Sequence, residues 1–351
     1  MNQKHLLRPL TLLVLLLAAA AVSIASAGNA RAGETGVESV VGVELPVADL
    51  DRARAFFTDV LSFAIGETGQ LTSDELASSP GLPSAAAARY VRLKLGDEQL
   101  RLIEYEPAGN PMPADSRGND LWFQHIAIIV SDIDAAFARL RQHGVTAASR
   151  NGPQRLPEWN QAAAGIRAFY FRDPDGHFLE ILQFPAGKGD PKWNKSASTG
   201  AAPPLFLGID HTAIVVRDTE ASLRFYRDTL GMHVVGGSVN YGPEQENLNN
   251  VDGARLRITT LRAAAGPAIE FLEYLEPRDG RPYPAAARAN DILHWQTVLV
   301  TGDPTSLVDE LRRRRVQIVS GSSSAEPAAG RPGGTFVIRD PDGHALRIRG
   351  R

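Results

Sequence analysis

The stretch Phe169-Tyr-Phe-Arg-Asp-Pro-Asp-Gly-His-Phe-Leu-Glu-Ile-Leu-Gln183 plants one carboxylate, Glu180, in an otherwise apolar run. An apolar strand face rarely carries an unpaired carboxylate, so Glu180 needs a partner that the run does not supply. The stretch recurs as Phe336-Val-Ile-Arg-Asp-Pro-Asp-Gly-His-Ala-Leu-Arg-Ile-Arg349, with Arg347 in place of Glu180. Three further residues of similar kind stand in apolar surroundings: His125, His211 and Glu270. Imidazoles and carboxylates serve proton transfer and divalent-metal ligation, although either histidine alone also reads as an ordinary strand residue. Glu273 competes with Glu270 in Ala-Ile-Glu-Phe-Leu-Glu-Tyr. Strand alternation sends the two to opposite faces, and Glu273 has an earlier counterpart in Glu104, which favours Glu270 for chemistry.

The elements that must hold these residues follow from turn chemistry and repetition. In Asp-Pro-Asp-Gly, proline presets φ and glycine supplies a positive-φ position, so each stretch reads as a hairpin. Val40-Val-Gly-Val-Glu-Leu-Pro-Val-Ala-Asp-Leu-Asp51 matches Ile209-Asp-His-Thr-Ala-Ile-Val-Val-Arg-Asp-Thr-Glu220 at an offset of 169, which also takes Phe56 to Phe225 and His125 to His294. At the hairpin the offset slips to 167, taking Asp173 to Asp340. A shorter echo lies inside each half. Val47-Ala-Asp49 before Leu50–Leu61 and Val130-Ser-Asp132 before Ile133–Gly144 are each a strand end, a capping Asp and an amphipathic helix. The expectation is an α+β chain in which a strand–helix–strand–strand–strand unit, βαβββ, occurs four times. Modules at 37–184 and 205–351 are then joined by a linker at 185–204 rich in Pro, Gly, Lys and Ser.

Residues 1–32 have the three-part pattern of a secretory signal peptide: Lys4 and Arg8, an apolar run from Leu10 to Ala27, and Ala30-Arg31-Ala32 as a cleavage site. Export to the periplasm or the medium is expected, with no stable membrane insertion once the leader is cleaved. The whole chain carries −3, and removing the leader's Lys4, Arg8 and Arg31 leaves −6. That acidity argues against nucleic acid as a partner. With 0 cysteines, no disulfide framework or lipidated cysteine can form.

A doubled βαβββ unit with a strand-borne His and a closing Asp-Pro-Asp-Gly-x-x-x-Glu resembles the vicinal oxygen chelate superfamily, which holds glyoxalase I, epimerases, extradiol dioxygenases and the bleomycin and fosfomycin resistance proteins. The resemblance covers nearly all of 37–350. It implies cup-shaped mixed sheets, each with a divalent metal held by a His and a Glu or Gln from one unit and a His and a Glu from another. Carried onto this chain, the positions are Gly42, Arg101, His125 and Glu180 in the first module and His211, Glu270, His294 and Arg347 in the second. Pairing units within a module would put an Arg against each metal, which charge repulsion forbids. Pairing across modules, as glyoxalase I and the resistance proteins do, collects His125, Glu180, His211 and Glu270 in one cup. Gly42, Arg101, His294 and Arg347 then fall in a second cup without a carboxylate ligand, where Glu44 could pair with the arginines as a polar plug. Ala127 and Ala213, two residues past each histidine, would leave room for a ligand.

The resemblance further implies one divalent ion per chain, Zn, Ni, Co, Fe or Mn, and proton transfer beside a chelated carbonyl by an isomerase or lyase. Glu180 is the first candidate base and Glu270 the second. The alternatives are a metal-independent sequestration protein and an extradiol-type dioxygenase. Either way the partner is a small molecule, bound by a monomer or homodimer. Its identity is expected to lie in Leu71–Ala88 and Ser238–Asp252, the matching segments that differ most between the halves.

Overall fold

The computed structural model describes residues 36–194, 203–319 and 334–351. The leader expected at 1–32 and the middle of the linker lie outside them.

Each of the four units opens with a strand that runs into an Asp cap. Asp49, Asp132, Asp218 and Asp303 accept backbone N–H bonds at the starts of α1 (Leu50–Ala55), α3 (Ile133–Gln142), α4 (Thr219–Tyr226) and α6 (Pro304–Arg313). Such caps satisfy donors that the first helical turn leaves free. The first helix is shorter than its apolar pattern suggests, because Phe56–Val60 continues it as a π-helical turn. Two short helices, α2 (Ser73–Ala77) and α5 (Pro243–Asn249), fill the segments that differ between the halves.

The strands are β1 (Val37–Pro46), β2 (Ala64–Gln70), β3 (Ala87–Leu95) and β4 (Glu98–Glu106) in the first unit. The second holds β5 (Gln124–Val130), β6 (Thr146–Ala147), β7 (Gln154–Arg155), β8 (Arg167–Arg172) and β9 (Phe178–Gln183). The third holds β10 (Phe206–Val215), β11 (His233–Tyr241), β12 (Arg255–Arg262) and β13 (Ala268–Glu276). The last holds β14 (Gln296–Thr301), β15 (Ile318–Val319), β16 (Thr335–Arg339) and β17 (Ala345–Gly350).

These form two mixed sheets, ordered β15-β16-β17-β14-β1-β4-β3-β2 and β11-β12-β13-β10-β5-β9-β8-β6. Each sheet therefore joins one unit from each half of the chain. The joints are antiparallel, β1 with β14 and β5 with β10, while each opening strand is parallel to the last strand of its own unit. Two of the apolar clusters are drawn mainly from one half each, and a third joins Phe123, Tyr170 and Phe178 to Leu248, Leu256 and Tyr274 across the halves. One gathers Leu45, Phe57 and Leu93 with Ile128, Leu140 and Phe171, all of the first half. Another gathers Leu223, Tyr226 and Phe271 with Leu307, Phe336 and Ile348, all of the second. Sheets that exchange units and a cluster shared between the halves tie them together.

Both Asp-Pro-Asp-Gly hairpins form as their chemistry demands. Asp173 accepts from the backbone N–H of Asp175 and His177, each at 2.9 Å, and Gly176 takes φ +95°. Asp340 and Gly343 repeat this with φ +103°. Each turn's histidine then bridges to the other half: His177 bonds Asp173 and the Ile292 carbonyl, and His344 bonds Asp340 and the Leu121 carbonyl.

Candidate metal centre

Inter-strand register brings the candidate residues together. Across the four central strands of the second sheet, Glu180 pairs with Ala127 and Ala127 with His211. One step along, His125 pairs with Ala213 and Ala213 with Glu270. The alanines sit between the ligand-type side chains, and both are fully buried. A larger residue at either position would fill the space between imidazole and carboxylate.

His125, Glu180 and His211 offer ligand atoms that all lie within 4.8 Å of one another, and all three residues are buried. Glu180 Oε2 stands 3.2 Å from His125 Nε2 and 3.7 Å from His211 Nε2. Neither approach is aligned as a hydrogen bond: Nδ1 and Nε2 of His125 and Nε2 of His211 have no hydrogen-bond partner. Unpartnered buried polar atoms cost about 1–3 kcal/mol each. The two Nε2 atoms that converge on Glu180 fit a divalent cation as their shared partner, and imidazole and carboxylate are its ordinary ligands. Glu270 stands slightly apart. Its Oε1 is 3.7 Å from His211 Nε2, its Oε2 accepts from Thr260 Oγ1 at 3.0 Å, and its side chain is 18% exposed. It is thus outside the compact trio but beside it.

The sequence reading missed Asp210. A register slip between Ile209 and His211 lets this neighbour bond the ring of His211, Oδ2 to Nδ1 at 3.0 Å. With Nδ1 occupied, Nε2 is the atom left facing the trio, the arrangement in which an outer carboxylate orients a histidine ligand. Burial disfavours the charged form of the His211 ring, but Glu270, Asp210 and Glu180 outweigh it and hold its pKa up to about 9. Against its own burial, Asp210 is drawn down to about 2, chiefly by the same contact. A ring kept positive by three carboxylates marks a place where positive charge is stabilised. The only sequence signal for Asp210 was its adjacency to His211, and strand alternation argues against that contact.

Glu180 and His211 of the trio, with Glu270, border a cavity of about 260 Å³. Its lining mixes apolar residues, Leu156, Ala163, Ile166, Leu182 and Ile258, with polar ones, Ser238, Asn240, Gln245 and Thr260. Tyr170 closes the floor beside Glu180. Burial first, and then the Glu180 carboxylate, push its phenol pKa well above the ordinary value, so it stays a proton donor. Of the two segments expected to face the ligand, only Ser238–Asp252 reaches this cavity.

The other segment fills the second cup. Arg347 is fully buried and donates to Glu44 at 2.8 Å and to Ser78 and Ser79 at 3.0 Å each. Arg101 donates to Glu75 at 2.9 Å and lies 3.5 Å from Glu44; Arg349 donates to Glu44 at 3.0 Å. The plug expected from Glu44, Arg101 and Arg347 is thus present, completed by Glu75, Ser78 and Ser79 from Leu71–Ala88. About 10 Å³ of space remains beside it.

One position is corrected. His294 is not the counterpart of His125. In the sheet, Gly42 pairs with Val298 as His211 pairs with Ala127, and Glu44 pairs with Gln296 as Ala213 pairs with His125. The counterpart is therefore Gln296. Asn119-Asp-Leu-Trp-Phe-Gln-His125 matches Asn290-Asp-Ile-Leu-His-Trp-Gln296 at an offset of 171, because the connection before it is two residues longer in the second half. His294 lies ahead of β14, buried with both ring nitrogens unpartnered, and burial lowers its pKa well below the usual value. Glu273, the rival of Glu270, faces the other way and accepts from the backbone N–H of Thr219 at 3.3 Å; its counterpart Glu104 does the same for Leu50 at 2.8 Å. Both close helix starts. Trp122 and Phe123 are core, whereas Trp159 is 52% exposed and stacks on Tyr241.

Fold and site together define a two-module protein with, among the described residues, one His/Glu cluster capable of chelating a divalent metal ion. Residues 39–181 and 208–348 each match the family model of the Glyoxalase/Bleomycin resistance protein/Dioxygenase superfamily, and the chain belongs to that superfamily. It is similar to a 2-epi-5-epi-valiolone epimerase from an Actinomyces species, 34% identical over 159 residues, which span 44% of this chain and 84% of that protein. Glyoxalase I from Zea mays shares the fold with a TM-score of 0.57 at 15% identity, over 89% of this chain and 92% of that one. A putative dioxygenase from Bacillus subtilis does so with a TM-score of 0.51 at 12% identity, over 89% and 86%. Among the described residues no helix is long and apolar enough to cross a membrane.

Proposed function

We propose that this protein is an exported, divalent-metal-dependent isomerase or lyase that moves a proton on a carbon next to a carbonyl group. The observation that carries this reading is the buried His125, Glu180 and His211 trio, of which Glu180 and His211 line a cavity, flanked by a fourth, freer carboxylate. His125, Glu180 and His211 would hold the ion, which would supply Lewis acidity toward a carbonyl oxygen and so acidify the adjacent C–H.

Glu270 is the better-supported proton carrier, although the sequence favoured Glu180. Glu180 lies between two imidazoles, whereas Glu270 is more open to the cavity and steadied by Thr260. Its carboxylate would take the proton while the C–H electron pair shifts toward the carbonyl oxygen. Returning the proton from Glu270 to the neighbouring carbon gives an isomer; an epimer requires a second group, for which Glu180 is the candidate, to protonate the opposite face. Tyr170, kept protonated, offers a hydrogen bond to a substrate oxygen. The similarity to a protein named an epimerase supports the isomerase branch.

The test is metal content of purified protein together with exchange of a substrate α-hydrogen in D2O. Wild type should carry one equivalent, His125→Ala and His211→Ala should both lose it, and Glu270→Gln should keep it while losing exchange. Protein that holds no transition metal yet binds a ligand tightly in chelator would replace this reading with sequestration.

A further inference from the structure

The polar wall of the cavity is a continuous chain of side-chain hydrogen bonds. Ser238 and Asn160 donate to Asn240 Oδ1 at 2.7 and 2.6 Å, and Asn240 donates to Gln245 at 3.0 Å. Gln245 donates to Asn249, and Asn249 donates to the Tyr274 hydroxyl at 2.7 Å. Asn240, Gln245 and Asn249 are all buried. Their orientations are thereby fixed, which removes the entropy cost of ordering them around a ligand. An amide has two N–H bonds, and Asn240 and Gln245 each use one within the chain, so each keeps a second. Ser238 donates its proton and keeps lone pairs to accept. Fixed amides and a hydroxyl set among apolar lining residues suit a molecule that carries hydroxyl groups on a carbon frame.

Charge narrows the class further. The lining contains the acidic residues Glu180, Asp210 and Glu270 and no Lys or Arg. The guanidinium of Arg262, which reaches the lining at Asp210, is bound to that carboxylate at 3.2 Å. A divalent cation would be balanced by Glu180 and Glu270, so no surplus positive charge is left for a carboxylate or phosphate. An anionic group in this partly desolvated space would lack a counter-charge, which is costly. The volume of about 260 Å³ also lies at or below the roughly 300–1,000 Å³ range of small-molecule sites.

We propose that the substrate is a small, uncharged, polyhydroxylated carbonyl compound whose hydroxyls are read by Ser238, Asn240 and Gln245. This rests on the proton-transfer reading of the same cavity and adds the class of molecule on which it acts. Residues that bond a hydroxyl discriminate strongly against analogues lacking it, since their own polar groups are then left unpaired.

The test uses metal-loaded full chain and three probes: 2,3-dihydroxycyclohexanone, 2-hydroxycyclohexanone, and dihydroxyacetone phosphate. Binding is followed by calorimetry and exchange of the α-hydrogen by NMR in D2O. The dihydroxy ketone should bind best, and loss of its third oxygen should weaken binding about 5- to 10-fold, the worth of one or two hydrogen bonds. The phosphate should bind weakest. Ser238→Ala, a mild change at a half-buried position, and Asn240→Leu should each bring the ratio of affinities for the two cyclic ketones down toward one. Tighter binding of the phosphate, equal binding of the two cyclic ketones, or no binding of either would overturn the proposal. Selective binding of the dihydroxy ketone without hydrogen exchange would leave it standing and would refute proton transfer instead.

Discussion

Replacing Arg347 by Met tests whether the second cup is a structural plug. The guanidinium makes one charge-assisted bond to Glu44 and two to serine hydroxyls, with no solvent exposure. Breaking a buried ion pair costs about 3–5 kcal/mol when the surviving charge is stranded. Here Glu44 keeps Arg349 at 3.0 Å and Arg101 at 3.5 Å, so the cost of Arg347→Met should fall short of that range, at about 2–3 kcal/mol. Glu44→Met should cost more, about 4 kcal/mol or above. It leaves Arg101, Arg347 and Arg349 sharing only Glu75, which bonds Arg101 and lies 3.8 Å from Arg349. Burial works against the Glu44 carboxylate, but the three arginines outweigh it and lower its pKa. Its stabilising effect is therefore present above the unfolded carboxyl pKa, about 4.3, and is lost as pH falls through the lower folded value. Urea unfolding at neutral pH measures both variants, with metal content recorded alongside. An Arg347→Met variant that loses more than Glu44→Met, or either variant losing the bound metal while still folded, would refute the separation of plug and site.

Three further outcomes follow from particular contacts. Both ring nitrogens of His177 and of His344 face acceptors, and despite burial the Asp173 and Asp340 carboxylates raise the two pKa values. The stability these rings contribute is present below about pH 6.5 and lost as pH rises through their higher folded values; the thermal midpoint of the double variant His177→Gln/His344→Gln should lack that decline. Gly42 cannot be restored to a ligand, since at φ +156° an added Cβ would lie 2.0 Å from the Gln99 carbonyl oxygen. Gly42→His should accordingly destabilise the fold by at least about 2 kcal/mol and add no second metal. Glu273→Ala should cost about 1 kcal/mol through the start of α4 and leave metal content unchanged, and a lost metal there would reinstate Glu273 as the ligand candidate over Glu270.

Much of the local structure was legible because it is written in neighbouring residues. Asp49, Asp132, Asp218 and Asp303 each precede a helical stripe and each caps it. Asp-Pro-Asp-Gly twice makes the turn that proline and glycine specify. The residue types of the site were legible as well, since Glu180 and Glu270 stand out from apolar runs in which a carboxylate needs a reason. Charge repulsion even indicated which units had to share a cup. The error over His294 came from carrying one offset across a connection that is two residues longer in the second half. Sequence spacing there conflicted with strand register, and the register identifies Gln296.

By itself, then, the sequence determined the four units, their caps and turns, and the chemical types that converge. Those depend on interactions a few residues long. The tertiary structure alone decided which side chain faces which: that Asp210 orients His211, that Ser78, Ser79 and Glu75 complete the plug, and that Ser238, Asn240 and Gln245 form one wall of the cavity. These contacts join strands and loops far apart in the chain. Their partners are set by inter-strand hydrogen-bond register and by a bulge, and a shift of one residue in either turns every side chain to the opposite face.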